Sequence, residues 1–288
     1  MNRSLNRSYL MKELRDRIAV VTGAAQGIGY GLSVRFLQEG MKVVLADKDA
    51  QRLELAAQEL SALGEILAVE TDVADARSVE GLRDAAVDRF GAVHVLCNNA
   101  GVGGIQRFST ISEMTWEWTV GVNLWGVIHG CRIFLPVLAE QDEAYIVNTA
   151  SMAGFTTGPY QADYKVTKAG VVALSEALSN EFAVEHPNVS VAVLCPAYTA
   201  TAIRHEERNA PEGHVPRAQA DPKIAELREK VYRAIEQEGI SPEVVAEMVV
   251  KAMAARRTHV FPHPEWLDTW QQRVDLVKMQ AAPFTMTG

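Results

Sequence analysis

Thr22-Gly23-Ala24-Ala25-Gln26-Gly27-Ile28-Gly29 decides how the rest of the chain is read. Just before it, residues 17–22 run Arg-Ile-Ala-Val-Val-Thr, a short apolar stretch that reads as a buried strand. Just after it, residues 30–38 read as a helix. Strand, glycine-rich turn and helix, in that order, make a phosphate cradle. The glycines let the backbone turn tightly and approach a pyrophosphate, whose charge rests on the helix N-terminus. Three spaced glycines alone signal little; between a strand and a helix they point to a dinucleotide site.

The pattern repeats outward. Residues 41–46 read as a second strand ending at Asp47, followed by a helix over 50–63. Residues 65–70 are a third strand with the exit Thr71-Asp72-Val73, then a helix over 74–90. Residues 93–97 are a fourth strand ending in Asn98-Asn99-Ala100-Gly101. A long helical segment, 112–138, carries Asn123 in an apolar stretch and is ended or kinked by Pro136. Strands follow at 144–149, with Ser151 just past the end, at 189–194 and at 258–261. Helices lie between them at 162–185 and 242–256, the latter capped by Ser241 with Pro242 in its first turn. Alternation of this kind predicts an α/β fold with a doubly wound parallel sheet of about seven strands. Such sheets bind ligands at the carboxyl ends of their strands, so Gly23, Asp47, Asp72 and Asn99 should line one crevice. Residues 1–16 read as an N-terminal extension, with Met11 as a possible second start. The single main domain spans 17–263, with a polar, helix-bearing insertion over 199–240 covering the crevice. A helix and tail fill 264–288.

Tyr164-Lys165-Val166-Thr167-Lys168 opens the helix at 162. Residues four apart share a helix face, so the Tyr164 phenol and the Lys168 ammonium converge. A free tyrosine, with a pKa near ~10, is a poor base at neutral pH; bringing it toward ~7 takes roughly 4 kcal/mol. A nearby cation in a dry site is expected to supply that. Asp47, at the tip of the second strand, can accept hydrogen bonds from ribose hydroxyls and would repel a 2′-phosphate, which favours NAD over NADP. Gln26 agrees, leaving the glycine loop without a basic residue; Lys48 blurs the preference.

The chain has 288 residues, 48% of them hydrophobic, a net charge of −8 and a pI of about 5.5. The acidic balance argues against nucleic acid or an anionic membrane surface as partner. No uninterrupted apolar run approaches the ~18 residues of a membrane span, and the N-terminus has no apolar h-region. Cys97, Cys131 and Cys195 are widely spaced and odd in number, which reads as reduced thiols of a cytoplasmic protein. Among seven histidines, His259 and His263 have ligand-like spacing but no further ligands, so no metal is expected. His205 and His214 fall in the insertion. Trp116, Trp118 and Trp125 read as packing or subunit-contact residues; Trp266 and Trp270 as substrate or subunit contacts.

These residues, in this order, resemble the short-chain dehydrogenase/reductase family. The likeness runs from Arg17 to Thr201 on motifs and to Phe261 on element order. It implies a Rossmann fold, with Asp47 as the acidic cofactor residue and Asp72-Val73 and Asn99 as further cofactor contacts. Gly23, Gln26, Gly27, Ile28 and Gly29 correspond to the family's cofactor loop. Past the sixth strand, Pro196, Thr199 and Thr201 are cofactor contacts by the same correspondence. The family's catalytic tetrad falls on Asn123, Ser151, Tyr164 and Lys168. Tyr160 is no rival, because no lysine follows it by four. The resemblance implies hydride transfer between a nicotinamide and a carbonyl or alcohol carbon. Tyr164 would be the acid/base, and Lys168 would lower its pKa and hold the nicotinamide ribose. Ser151 would hold the substrate oxygen, and Asn123 would position a water. One departure is Pro196-Ala197, where the family has Pro-Gly. A homodimer or homotetramer is expected by analogy.

Three readings follow. An NAD-dependent dehydrogenase of a bulky or aromatic secondary alcohol is favoured by Asp47. An NADPH-dependent 3-oxoacyl thioester reductase would more often carry a basic residue in the glycine loop. A non-catalytic nucleotide sensor is opposed by the intact tetrad.

Overall fold

The computed structural model describes residues 13–201 and 209–281. Met11, His205, and the outer parts of the N-terminal extension and C-terminal tail lie outside the described residues. The seven strands are β1 (Ile18–Thr22), β2 (Lys42–Asp47), β3 (Ile66–Glu70), β4 (Val95–Asn98), β5 (Ala144–Thr149), β6 (Val189–Leu194) and β7 (His259–Val260). They form one parallel sheet in the order β3-β2-β1-β4-β5-β6-β7. The order reverses between β1 and β4, which opens a crevice above their carboxyl ends.

Both faces are covered, which is why the inner strands read as unbroken apolar runs rather than alternating ones. Val20, Val44, Leu96, Ile146 and Val191 face one layer, with α3 (Ala76–Phe90), α5 (Gly126–Ala139) and α6 (Ala162–Glu185). Val21, Val43, Leu45, Val95 and Val147 face the other, with α1 (Gly27–Gln38), α2 (Ala50–Leu60) and α9 (Pro242–Ala254). Phe134 and Phe182 fill the first layer, and Phe36 the second; all are buried. Gly31 lets α1 approach the start of α9, where a Cβ would stand 2.9 Å from the Pro242 carbonyl group.

The long helical segment departs from the sequence reading. Ser112 caps α4 (Glu113–Val120) by accepting from the Thr115 amide. The chain then widens into a π-helical segment (Gly121–Trp125) before α5 begins. Pro136 neither ends nor interrupts α5, which continues to Ala139; at this point only the last turn follows it. The span Glu113–Ala139 is also long and apolar enough, by length and composition, to cross a membrane, although charged and polar residues interrupt it. In this fold its apolar face packs on β4, β5, α3 and α6. Ser241 stands at the N-cap of α9 without bonding a helix amide; its hydroxyl instead lies against the Glu243 carboxylate and holds its pKa down. The last strand is shorter than expected, bonding only along β6.

Candidate active site

The glycine loop takes its shape from two left-handed residues, Gly23 (φ +65°) and Gly27 (φ +59°). A Cβ on Gly23 would stand 2.9 Å from the Ala100 Cα, so only glycine lets β1 and the β4 exit meet here. A Cβ on Gly29 would collide with the Gly23 carbonyl oxygen. Thr22 ties the two turns together: its hydroxyl accepts from the Asn99 and Ala100 amides at 2.9 and 3.1 Å. The Asn99 side chain donates back to the Thr22 carbonyl at 3.0 Å.

Asp47 is buried and its carboxylate faces the loop, accepting from the Ala25 and Asp49 amides at 3.1 Å each. It is not the cap of α2; Asp49 has that role, accepting from the Arg52 amide. Burial pushes the Asp47 pKa up, and the backbone donors pull it down. Lys48 reaches Asp72 at 2.6 Å, so its charge is paired. A basic group that the sequence reading missed stands nearby: the Arg52 guanidinium donates to Gln26 Oε1 at 3.4 Å and pairs with Asp49. Its link to the loop was invisible because the two residues lie on different elements.

Tyr164 and Lys168 occupy successive turns of α6, with the ammonium 5.6 Å from the phenol ring centroid. The Lys168 ammonium donates to the Thr149 carbonyl at 2.8 Å. Burial pushes its pKa down to about 8, against a small upward pull from Cys195. The expected lowering of the Tyr164 pKa is not what the structure gives. Burial pushes it up, opposed only by the Ser151 hydroxyl, because Lys168 turns its charge to a carbonyl instead of the phenol oxygen. Ser151 donates to the Pro196 carbonyl at 3.2 Å and accepts from the Ala153 amide at 3.1 Å. Gly103 packs on the Tyr164 ring, where a Cβ would come within 2.7 Å of Cδ2; no local pattern marked that glycine.

Asn123 is brought close to these groups but does not face the cavity. Fully buried in the π segment, its amide exchanges two 2.8 Å hydrogen bonds with the Val102 backbone and donates to Thr167 Oγ1 at 3.2 Å. It thereby fixes the loop that carries Gly103.

A cavity of about 480 Å³ joins these parts and is lined by Gly23, Asp47, Asp72, Asn99, Ser151, Tyr164 and Lys168, with Gln26, Gly27, Ile28, Val73, Pro196, Thr199 and Thr201. Its outer walls are aromatic and aliphatic: Trp118, Tyr160, Tyr198 and Trp266, with Leu227 and Val231 of α8 (Ala225–Glu238). Thus Trp118 and Trp266 face the cavity, while Trp125 is exposed and Trp270 packs on Phe155. Trp116 lies edge-on to Phe108. His214 meets Trp118 at 5.0 Å between ring centroids. Ala197, the departure noted in the sequence, donates its amide to His263 Nδ1 at 3.1 Å, and His259 contacts Glu176 at 2.9 Å. Both histidines are thus engaged separately. All three cysteines are free, and burial pushes their thiols up.

Buried charge holds the insertion down. Arg217, in the short helix α7 (Arg217–Ala220), pairs with Asp163 at 2.8 Å, and both side chains are 1% exposed. Thr119 donates to the same carboxylate oxygen at 3.0 Å. Asp221 pairs with Arg107 at 2.7 Å, and that guanidinium holds its carboxyl well below the usual range. Arg228 spans the Ile105, Arg217 and Asp221 carbonyls.

Lys168 gives a stability signature. Its pKa is lower folded than unfolded, so between about pH 8 and 10.5 the unfolded chain binds more protons and stability rises with pH. Urea denaturation at pH 7.5 and 9.5 should show a gain from this group of roughly 2 kcal/mol. Lys168→Met should lack it; an equal gain in parent and variant would mean the ammonium is solvated.

A Rossmann sheet with a glycine loop, an acidic β2 tip and a Tyr-Lys pair in one crevice defines a nucleotide-binding oxidoreductase. The family model for short chain dehydrogenases matches residues 17–212. A short chain dehydrogenase/reductase from Burkholderia phymatum, solved in complex with NAD, superposes with a TM-score of 0.90 at 36% identity, covering 96% of this chain and 99% of that one. The 1-deoxy-11-beta-hydroxypentalenate dehydrogenase of Streptomyces exfoliatus is 38% identical over 66% of this chain and 70% of that protein. The C alpha-dehydrogenase of Sphingobium sp. strain SYK-6 is 30% identical over 95% and 89%. The chain belongs to the short-chain dehydrogenase/reductase family.

Proposed function

We propose that this protein is an NAD(H)-dependent oxidoreductase of secondary alcohols and ketones, acting on a bulky or aromatic substrate. The observation that carries the reading is the Tyr164–Lys168 face of α6, opening into an apolar-walled cavity continuous with the glycine loop. The loop fits a dinucleotide: Gly23 and Gly27 leave a cradle that side chains would fill, and Asp47 stands beside it. Gln26, Ile28 and Gly29 would hold the pyrophosphate side, Asp47 the adenosine ribose, and Asp72, Val73 and Asn99 the neighbouring wall. Lys168 would hold the nicotinamide ribose, with Pro196, Thr199 and Thr201 near the nicotinamide. When bound, the nicotinamide accepts or supplies the hydride.

This chain's own part is proton transfer and placement. Tyr164 takes the proton from the alcohol oxygen in oxidation and returns it in reduction. Ser151 donates a hydrogen bond to that oxygen, released from Pro196. Lys168 stabilises the phenolate once a ligand draws its ammonium from Thr149. Asn123 is better supported as the anchor of the Val102 loop than as a water ligand. The names of two relatives support dehydrogenase chemistry: one is a 1-deoxy-11-beta-hydroxypentalenate dehydrogenase, the other a C alpha-dehydrogenase. Exposed Trp125 and Val166, on the π segment and α6, support a homo-oligomer through these helices.

The test is to titrate NADH and NADPH separately, following protein fluorescence, and then to screen bulky secondary alcohols with NAD. NADH should bind more tightly, because Lys48 and Arg52 are both paired with carboxylates. Asp47→Ser should move the NADP-to-NAD ratio of kcat/KM up by roughly ten- to a hundredfold, through lost ribose bonds and lost repulsion. A parent that prefers NADPH would sink the cofactor assignment and favour the reductase reading.

A further inference from the structure

Two cations lie near each other at the edge of the cavity: Lys165 in its wall and Arg273, exposed, behind it. Lys165 follows Tyr164 in α6, lines the cavity and donates to the Thr156 carbonyl at 3.3 Å. Arg273 lies in α10 (Leu267–Gln280) and donates to the Phe155 carbonyl at 2.7 Å. Those carbonyls belong to consecutive residues, and the two groups lie close enough for the Arg273 charge to be felt at Lys165. The docking of α10 explains how. Trp270 packs on Phe155 with ring centroids 4.8 Å apart and planes tilted by 59°, and Arg273, three residues on, lies on the same helix face.

The arrangement is costly as it stands. Burial and the Arg273 charge both push the Lys165 pKa down. Neither cation has a carboxylate in ion-pair range among the described residues, in a chain with 36 acidic and 28 basic residues. Capping a carbonyl uses one donor of each; an ammonium has three and a guanidinium five. The spare donors of Lys165 stand at a cavity whose outer wall carries no other cation and no carboxylate among the described residues, and Arg273 adds its charge from behind. Gly158 lies beside Lys165, where a Cβ would stand 4.0 Å from its ammonium with nothing closer.

We propose that Lys165 and Arg273 form an anion-recognition subsite, selecting substrates that carry a carboxylate or phosphate remote from the reacting carbon. The reacting centre rests on the function proposed above; the charge preference does not. The anion would bridge the two cations, turning mutual repulsion into charge-assisted hydrogen bonds. An uncharged substrate of the same shape would leave them facing each other.

The experiment compares 1-phenylethanol with 4-(1-hydroxyethyl)benzoate and with 4-(1-hydroxyethyl)phenyl phosphate, following NAD reduction. At least one anionic alcohol should exceed the neutral one in kcat/KM by about tenfold or more. Lys165→Gln combined with Arg273→Gln should bring that ratio near one, and Arg273→Gln alone, at an exposed helix position, should reduce it. Equal kcat/KM for all three alcohols, or a preference untouched by the variants, overturns the subsite. If none of the alcohols is oxidised, the proposed reaction fails but the subsite is still read. Calorimetric titration of the protein, with and without NAD, should then show 4-acetylbenzoate binding more tightly than acetophenone, with the difference lost in the double variant. Equal binding of the two ketones overturns it there as well.

Discussion

Replacing Tyr164 by Phe is expected to lower kcat for a secondary alcohol by about 10³- to 10⁴-fold, the upper part of the range for a positioned acid/base. NADH affinity, followed by fluorescence, should stay within about tenfold of the parent, as one lost hydrogen bond at most is involved. The geometry makes this a clean substitution. The ring packs on Gly103, and the phenylalanine ring fills the same space. What disappears is one hydroxyl, at a position whose neighbours are Ser151 and Lys168. The directions of the two pKa shifts sharpen the expectation. Burial raises the phenol and lowers the ammonium to about 8, so each group resists its charged form in the same dry pocket. Giving its proton to a ketone oxygen in reduction leaves a phenolate beside the ammonium, and oxidation starts from that same ion pair, in which each charge compensates one that neither group carries well alone. Survival of turnover in Tyr164→Phe would mean that the acid/base is another group and that the Tyr-Lys face serves binding alone. Loss of both turnover and NADH binding would point instead to collapse of the crevice.

Arg217→Met should cost about 3–5 kcal/mol of unfolding free energy, measured by urea denaturation, because it strands a buried carboxylate. Asp163 is fully buried and lies one residue before Tyr164. Its remaining partner would be the Thr119 hydroxyl. A loss of this size is a large fraction of the ~5–15 kcal/mol that holds a typical domain folded. Removing the charge as well, in Arg217→Met with Asp163→Asn, should recover much of it, since the penalty comes from the stranded ion more than from the lost attraction. A change below about 1 kcal/mol in the single variant would show that the pair is solvent-screened and that the insertion is held elsewhere.

What could be read in advance divides along a physical line. The β1 turn, the β2 tip and the Tyr-Lys pair each lie within a few residues of one element, where glycine conformation and helix periodicity act locally. Their meeting in one crevice follows from parallel topology alone. The clamp on the insertion had no such signal: Arg107 and Asp221 are 114 residues apart, and Arg217 and Asp163 are 54. In the sequence these were ordinary charges in a polar stretch, and only packing made them buried pairs. Lys165 and Arg273 escaped for the same reason. The direction of the Tyr164 shift was misjudged because spacing gives proximity, not orientation; Lys168 spends its charge on Thr149. The π segment escaped because one wide turn barely disturbs an apolar pattern of period 3.6.

That wide turn has a consequence for how the chain tolerates change in length. A π turn bonds residue i to i+5 and so holds one residue more than an α turn; removing one residue between Gly121 and Trp125 would let α4 and α5 fuse into one regular helix. Local hydrogen bonding would improve. Yet the wide turn that brings the Asn123 amide to the Val102 backbone would be gone, and that anchor with it. The segment stores one extra residue in a single wide turn, between two helices that each have their own fixed partners, α6 on one side and the sheet on the other. Here the number of residues carries information that their identities do not. Surface loops absorb insertions and deletions; this stretch of apparent helix is set to a single length.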